Sequence, residues 1–238
     1  MWPALLLAAA LSGGGDVASP ALGHEPWVWQ PEPGEIELFV GNIKMGKSHA
    51  ARVRTKRIRR MLAWDPQRDE ELGSGRLTVL QLEKLFETHP ELLVRGTVRL
   101  AIRPTAWSDN DTRDEFDRFL RVAWRVGRLA VKVDESGGIV QPGNIPPALS
   151  KGLREGRHRE LSWIFVGQRF PMVPVIARDN ASRLVVFRHG FDDAGDVSRR
   201  CSGAGVEVTP EQISALAPHH FLEWTPIEGA RIRPPLGS

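Results

Sequence analysis

Cysteine is almost missing from this chain, with Cys201 the one example among 238 residues. A single thiol rules out an internal disulfide, so burial and hydrogen bonding must hold the fold, as suits a reducing compartment. Cys201 itself is expected to be a small core or loop residue rather than a nucleophile. Long apolar runs are also lacking. Residues 1–11 are apolar and resemble the middle of a signal peptide, but they have no positive flank and fall short of the roughly 20 residues that cross a bilayer. This start is expected to touch a membrane or dock a partner. Metal-ligand spacing is absent as well. His189, His219 and His220 stand without partners at ligating intervals and read as ordinary core or surface residues. No internal repeat is found.

What is present describes a globular protein. Hydrophobic residues make up 41% and charged residues 26%, enough for one α/β domain with a proper core. The net charge of +3 comes from 32 basic and 29 acidic residues. That mild excess permits a polyanionic partner without requiring one.

Along the chain, residues 1–34 read as the apolar leader and an irregular Pro/Gly-rich arm. Residues 35–225 read as one domain, and 226–238 as a loose Pro-rich tail. Within the domain, apolar or alternating runs predict strands at 35–40, 60–64, 97–102, 129–133, 161–166, 184–188 and 221–225. Between them, periodic segments predict helices at 47–59, 78–88, 109–125 and 146–159, the first with its arginines on the outer side. Regular alternation of strand and helix calls for an α/β fold with a mainly parallel sheet and helices on both faces.

The most specific signal is Gly41-Asn42-Ile43-Lys44-Met45-Gly46-Lys47-Ser48, which satisfies GxxxxGK[ST] between a strand and a helix. In that context the glycines let backbone N–H groups turn inward toward phosphate oxygens, and the helix N-terminus adds positive potential. These eight residues, with His49 after them, form the expected nucleotide-binding set. Lys47 is expected to bridge the terminal phosphates of ATP and Ser48 to hold Mg²⁺, whereas the side chains of Lys44 and His49 carry no assigned chemistry.

Downstream, the 129–133 strand runs into Asp134-Glu135. Successive strand residues point oppositely, so the two carboxylates are expected to divide the work. Asp134 joins Ser48 as a metal ligand, and Glu135 takes a proton from the attacking water or orients it. Two strands, 60–64 and 97–102, separate this pair from the phosphate loop, leaving room for an intervening strand. A third polar group, Gln168, follows the 161–166 strand where open α/β sheets bind ligands, and is expected to sense the γ-phosphate or the water.

The motifs together, GNIKMGKS, RMLAWDP, LAVKVDE, EGRH at 155–158, VGQRFP and ARDNASRLVVFRHGFDD, resemble the FtsK/HerA superfamily of P-loop ATPases. Within it they are most similar to the genome-packaging ATPases of tailless, internal-membrane viruses. The resemblance covers about 35–196. It implies a single RecA-like domain of the additional-strand, catalytic-glutamate (ASCE) class, and a homo-oligomeric ring, hexameric by default, that threads double-stranded DNA. It also implies an arginine acting on a neighbour's nucleotide, for which Arg157 is chosen over Arg154 and Arg183. DNA contacts are expected to be to backbone and non-specific, from the basic run Arg52, Arg54, Lys56, Arg57, Arg59, Arg60 or from the loop 136–145. Such an ATPase is expected in host cytoplasm or in the virion, with the apolar start meeting a membrane or portal. The alternatives are a filamentous-phage assembly ATPase like zonular occludens toxin, which normally carries a transmembrane helix, and a small-molecule P-loop kinase.

Overall fold

The computed structural model describes residues 32–67, 76–93, 96–106, 108–135, 137, 139–140, 144–202 and 207–236. The apolar start at 1–11 and half of the 136–145 loop lie outside them.

Nine strands form one sheet. In chain order they are β1 (Ile36–Val40), β2 (Arg60–Trp64), β3 (Arg76–Leu77), β4 (Val98–Ile102), β5 (Leu129–Asp134), β6 (Leu161–Gly167), β7 (Arg183–Phe187), β8 (Phe221–Thr225) and β9 (Gly229–Arg233). Their spatial order is β3-β4-β2-β5-β6-β1-β7-β8-β9. The first seven in that order run parallel, and β8 and β9 add an antiparallel hairpin at one side. The strand lying between β1 and β5 is β6, which follows Asp134 in sequence. Neither strand that separates the phosphate loop from the acidic pair along the chain takes that position.

The α-helices are α1 (Lys47–Thr55), α2 (Val79–Thr88), α3 (Asp109–Val126), α4 (Pro147–Glu155), α5 (Val175–Asp179), α6 (Phe191–Cys201) and α7 (Pro210–Ser214). Local chemistry sets their ends. Thr78 and Gln81 make a reciprocal capping box at the start of α2, and Ser108 accepts from the Asp111 N–H at the start of α3. α1 ends four residues earlier than expected, and 156–159 tighten into a 3-10 turn instead of continuing α4.

The two sheet faces are covered unequally. Leu38, Leu62, Leu100, Val131, Val133 and Phe165 point to the face carrying α2 through α7, where Phe86, Phe116, Phe119, Leu149 and Val197 complete the larger core. Phe39, Met61, Ala130, Ile164, Val185 and Phe187 point to the other face, where α1 contributes Ala50 and Ala51. Period-two alternation along every strand produces this division.

Charge covers part of the α1 face. Arg54 is buried and donates from Nε and Nη2 to Glu37, with the closest contact 2.6 Å. Glu37 also accepts from Arg183 at 3.1 Å, Arg183 reaches on to Glu223, and Glu223 accepts from Arg233 at 2.8 Å. Arg54 is therefore an interior ion-pair partner, correcting its placement on the outer side of the helix and in a DNA-contacting run. Arg183, held by two carboxylates, is likewise committed within its own chain. The hairpin corrects the tail: 229–233 pair with β8, so the sheet continues past 225.

Candidate functional site

Parallel pairing puts the carboxyl ends of β1, β5 and β6 side by side, with Val40 opposite Gly167 and Asp134 opposite Val166. Everything that follows those strands therefore gathers at one edge. The loop 41–46 leaves β1 and turns immediately into α1. Gly41 has φ of +148, and a Cβ there would sit 2.6 Å from that of Phe187, so no other residue fits. Gly46 takes φ of +103 just before α1 begins. The Asn42 N–H donates to the Arg188 carbonyl at 2.9 Å, tying the loop to the end of β7.

Lys47 is buried and donates from Nζ to the Asn42 carbonyl at 3.1 Å, a contact that curls the side chain back over its own loop. Burial pushes its ammonium below the ordinary lysine value, and the nearby carboxylates of Glu135 and Asp134 oppose that shift. The lysine thus sits in a place that disfavours its charge until anionic oxygens arrive.

Asp134 ends β5 on the face that carries α1, and is buried. Its neighbour Glu135 leaves the strand in a left-handed turn with φ of +51. The Glu135 N–H is held by the Val166 carbonyl at 2.9 Å and by Asp134 Oδ1 at 3.1 Å. Its Oε1 accepts from Gln168 Nε2 at 3.1 Å. The structure therefore brings Glu135 and Gln168, two of the residues singled out from the sequence, into direct contact. Gln168 is steadied from behind, since Arg169 makes a two-pronged pair with Asp193 of α6, 2.8 Å to each carboxylate oxygen. The Arg169 hydrogen bond and charge hold the Asp193 carboxyl below its usual range.

A cavity of about 490 Å³ opens here, lined by loop residues with Ser48, His49, Glu135 and Gln168. Ser48 in its lining and the buried Asp134, which precedes the lining residue Glu135, offer hard oxygens that suit magnesium, an ion that usually takes one or two carboxylates and completes its shell with water and substrate phosphates. Among the described residues, no group of three or more His, Cys, Asp or Glu forms a closed metal cage.

Two further residues line the cavity: Gln67, which was not singled out from the sequence, and His219, which read there as an ordinary core or surface residue. His219 has φ of +65, and its Nδ1 lies 3.2 Å from where a Cβ on Gly46 would be. The signal for both is positional: Gln67 follows the carboxyl end of β2, and His219 precedes an antiparallel strand whose start meets the end of β7. His189, read from the sequence as an ordinary core or surface residue, is buried, with its Nδ1 3.0 Å from the Phe187 carbonyl. Cys201 is also in the core, its thiol pushed up to about 12 by burial.

Arg157 is not brought to this site. It lies in the turn before β6, at the opposite edge, and the seven residues of β6 span about 23 Å.

No protein-family model matches the sequence, and no curated protein matches it. Solved structures do. The genome packaging NTPase B204 from Sulfolobus turreted icosahedral virus 2, in complex with AMP, superposes with a TM-score of 0.63 at 18% identity, covering 87% of this chain and all 100% of that one. VirB4 of Thermoanaerobacter pseudethanolicus gives 0.64 at 12% identity over 85% of this chain and 89% of that one. Likeness at this identity concerns the fold, and the α/β P-loop fold with a mainly parallel sheet expected from the motifs is the one these structures share.

Proposed function

We propose that this protein hydrolyses ATP to drive double-stranded DNA through a homo-oligomeric ring, hexameric by default, as a viral genome-packaging motor does. The observation that carries the ATPase reading is the hydrogen bond from Gln168 to Glu135, one residue beyond Asp134 and beside a glycine loop ending in Lys47-Ser48. The motor reading is supported by the fold shared with B204, described as a genome packaging NTPase from its virus.

In this reading the residues of 41–48 bind the phosphates by backbone N–H groups, and Lys47 regains its full charge against the terminal ones. Mg²⁺, held by Ser48 and Asp134, would draw charge from the phosphates. Glu135 accepts a proton from the attacking water as its oxygen bonds to phosphorus, and ADP departs with the bridging oxygen. Gln168, which already holds Glu135, orients the carboxylate and senses whether a terminal phosphate is present. Arg157 is proposed to act across a subunit boundary. The apolar start is proposed to meet a viral membrane or portal.

The test is ATP hydrolysis with and without long double-stranded DNA. DNA should stimulate turnover, and Glu135→Gln should lower it by about 10²–10⁴ with nucleotide binding retained. Hydrolysis indifferent to DNA, or phosphate passing to a small acceptor, would refute the motor reading while leaving the phosphate loop intact.

A further inference from the structure

The edge of the sheet opposite the phosphate loop carries a second cavity, of about 510 Å³. It is formed where the chain enters three neighbouring parallel strands, β2, β5 and β6. Arg57, Arg59 and Arg60 come from the turn and first residue of β2, Arg128 from the turn before β5, and Glu160 from the turn before β6. Among the described lining residues, four arginines thus face one carboxylate.

The backbone fixes this arrangement. Arg128 and Glu160 both occupy left-handed turns, with φ of +51 and +54, where a side chain is strained and glycine would relax. Arg60 donates to the carbonyls of Arg128 at 2.9 Å and Leu93 at 3.0 Å, which holds its guanidinium in the cavity wall. Burial, and then the charge of Arg128, push the Arg60 guanidinium below its ordinary value, so the cluster repels itself. Arg128 makes an exposed pair with Glu160 at 3.1 Å, the contact that offsets part of this charge.

We infer that this amino-edge cavity grips the phosphodiester backbone of nucleic acid, Arg57, Arg59 and Arg128 taking phosphates and Arg60 forming the fixed wall. One feature favours nucleic acid over an acidic protein. Of the apolar residues in the lining, Ile58, Leu129 and Ala130 are buried and only the small ring of Pro33 is exposed, so the rim offers no large apolar anchor of the kind that dominates protein interfaces, while its guanidinium groups can meet the closely spaced phosphates of a duplex. The inference rests on the DNA-motor reading and locates its grip at the edge away from nucleotide.

The test is the salt dependence of duplex DNA binding by the full chain. Each phosphate contact contributes a slope of about −0.9 in log affinity against log salt. The triple variant Arg57→Gln, Arg59→Gln, Arg128→Gln should flatten that slope by about two to three while keeping DNA-independent ATP hydrolysis. A charge-matched control, Arg121→Gln, Arg199→Gln, Arg231→Gln, should keep the wild-type slope. Glu160→Gln should tighten binding. Equal loss in the triple variant and its control, or equal competition by polyglutamate and DNA at matched charge, overturns the site and leaves the motor reading standing. A wild-type protein that does not bind DNA overturns both.

Discussion

The two ends of the parallel sheet both handle charge, and they do it by opposite means. At the carboxyl end, positive potential comes from backbone N–H groups, a helix start and one buried lysine, all held by close approach: Gly41 against Phe187, Lys47 against Asn42, Glu135 against Gln168. At the amino end it comes from long arginine side chains on short turns, open to water. The first arrangement gains strength from desolvation and tolerates little change. The second is screened by salt and should absorb substitution readily.

Ion pairs show the same contrast between buried and open charge most sharply, both examples lying toward the amino end of the sheet. Removing one partner of Arg54–Glu37, where both side chains are under a tenth exposed, strands a buried charge; Glu37→Ala should cost about 3–5 kcal/mol in chemical denaturation. Removing one partner of Arg128–Glu160, with side chains 75% and 49% exposed, should cost at most about 1 kcal/mol. Equal losses would break the comparison.

Glycines at the two ends should differ by less. Gly41→Ala forces a Cβ into Phe187 at a left-handed φ and should lower stability by about 1–3 kcal/mol, weakening ATP binding with it. Gly96→Ala, beside the arginine cavity, meets nothing within 4 Å and should shift stability by less than about 0.5 kcal/mol. Thermal unfolding of both variants decides it.

The smallest expected effect is on pH. Lys47 titrates below its ordinary value of 10.5 because it is desolvated, and bound phosphates favour its charged form. Binding therefore takes up a proton wherever the free lysine has begun to lose one. Nucleotide affinity should fall on the alkaline side, below 10.5, whereas DNA binding through guanidinium groups should stay flat there. Calorimetry in buffers of different ionisation heat would detect the proton uptake, and a flat nucleotide profile would place Lys47 in a less buried setting.

Most of this architecture was legible because its signals are local. The strands at 60–64 and 221–225 end where alternation and turn residues put them, and the loop 41–48 sits between strand and helix as its glycines demand. What was not legible depends on partners far along the chain. Arg54 reads as a surface residue until Glu37, on a different element, is placed beneath it. β9 has one exposed isoleucine and an arginine at each end of RIR, so its edge position hides any apolar pattern. α6 begins at Gly190 without a side-chain cap, though Ala194, Val197 and Cys201 keep helical spacing. The order of β6 between β1 and β5 is topological, and no spacing along the chain encodes it.

The chain of charges from Arg54 through Glu37, Arg183 and Glu223 to Arg233 has a mechanical meaning as well. It runs across β1, β7, β8 and β9, at right angles to the strands, and ends on the helix that starts at the phosphate loop. Backbone hydrogen bonds already resist sliding of one strand on the next; this row of side chains adds stiffness in the direction a sheet bends most easily. A load applied to the terminal hairpin would be carried to α1 with little give, so that the helix behind the phosphate loop and the far edge of the sheet would move as one lever.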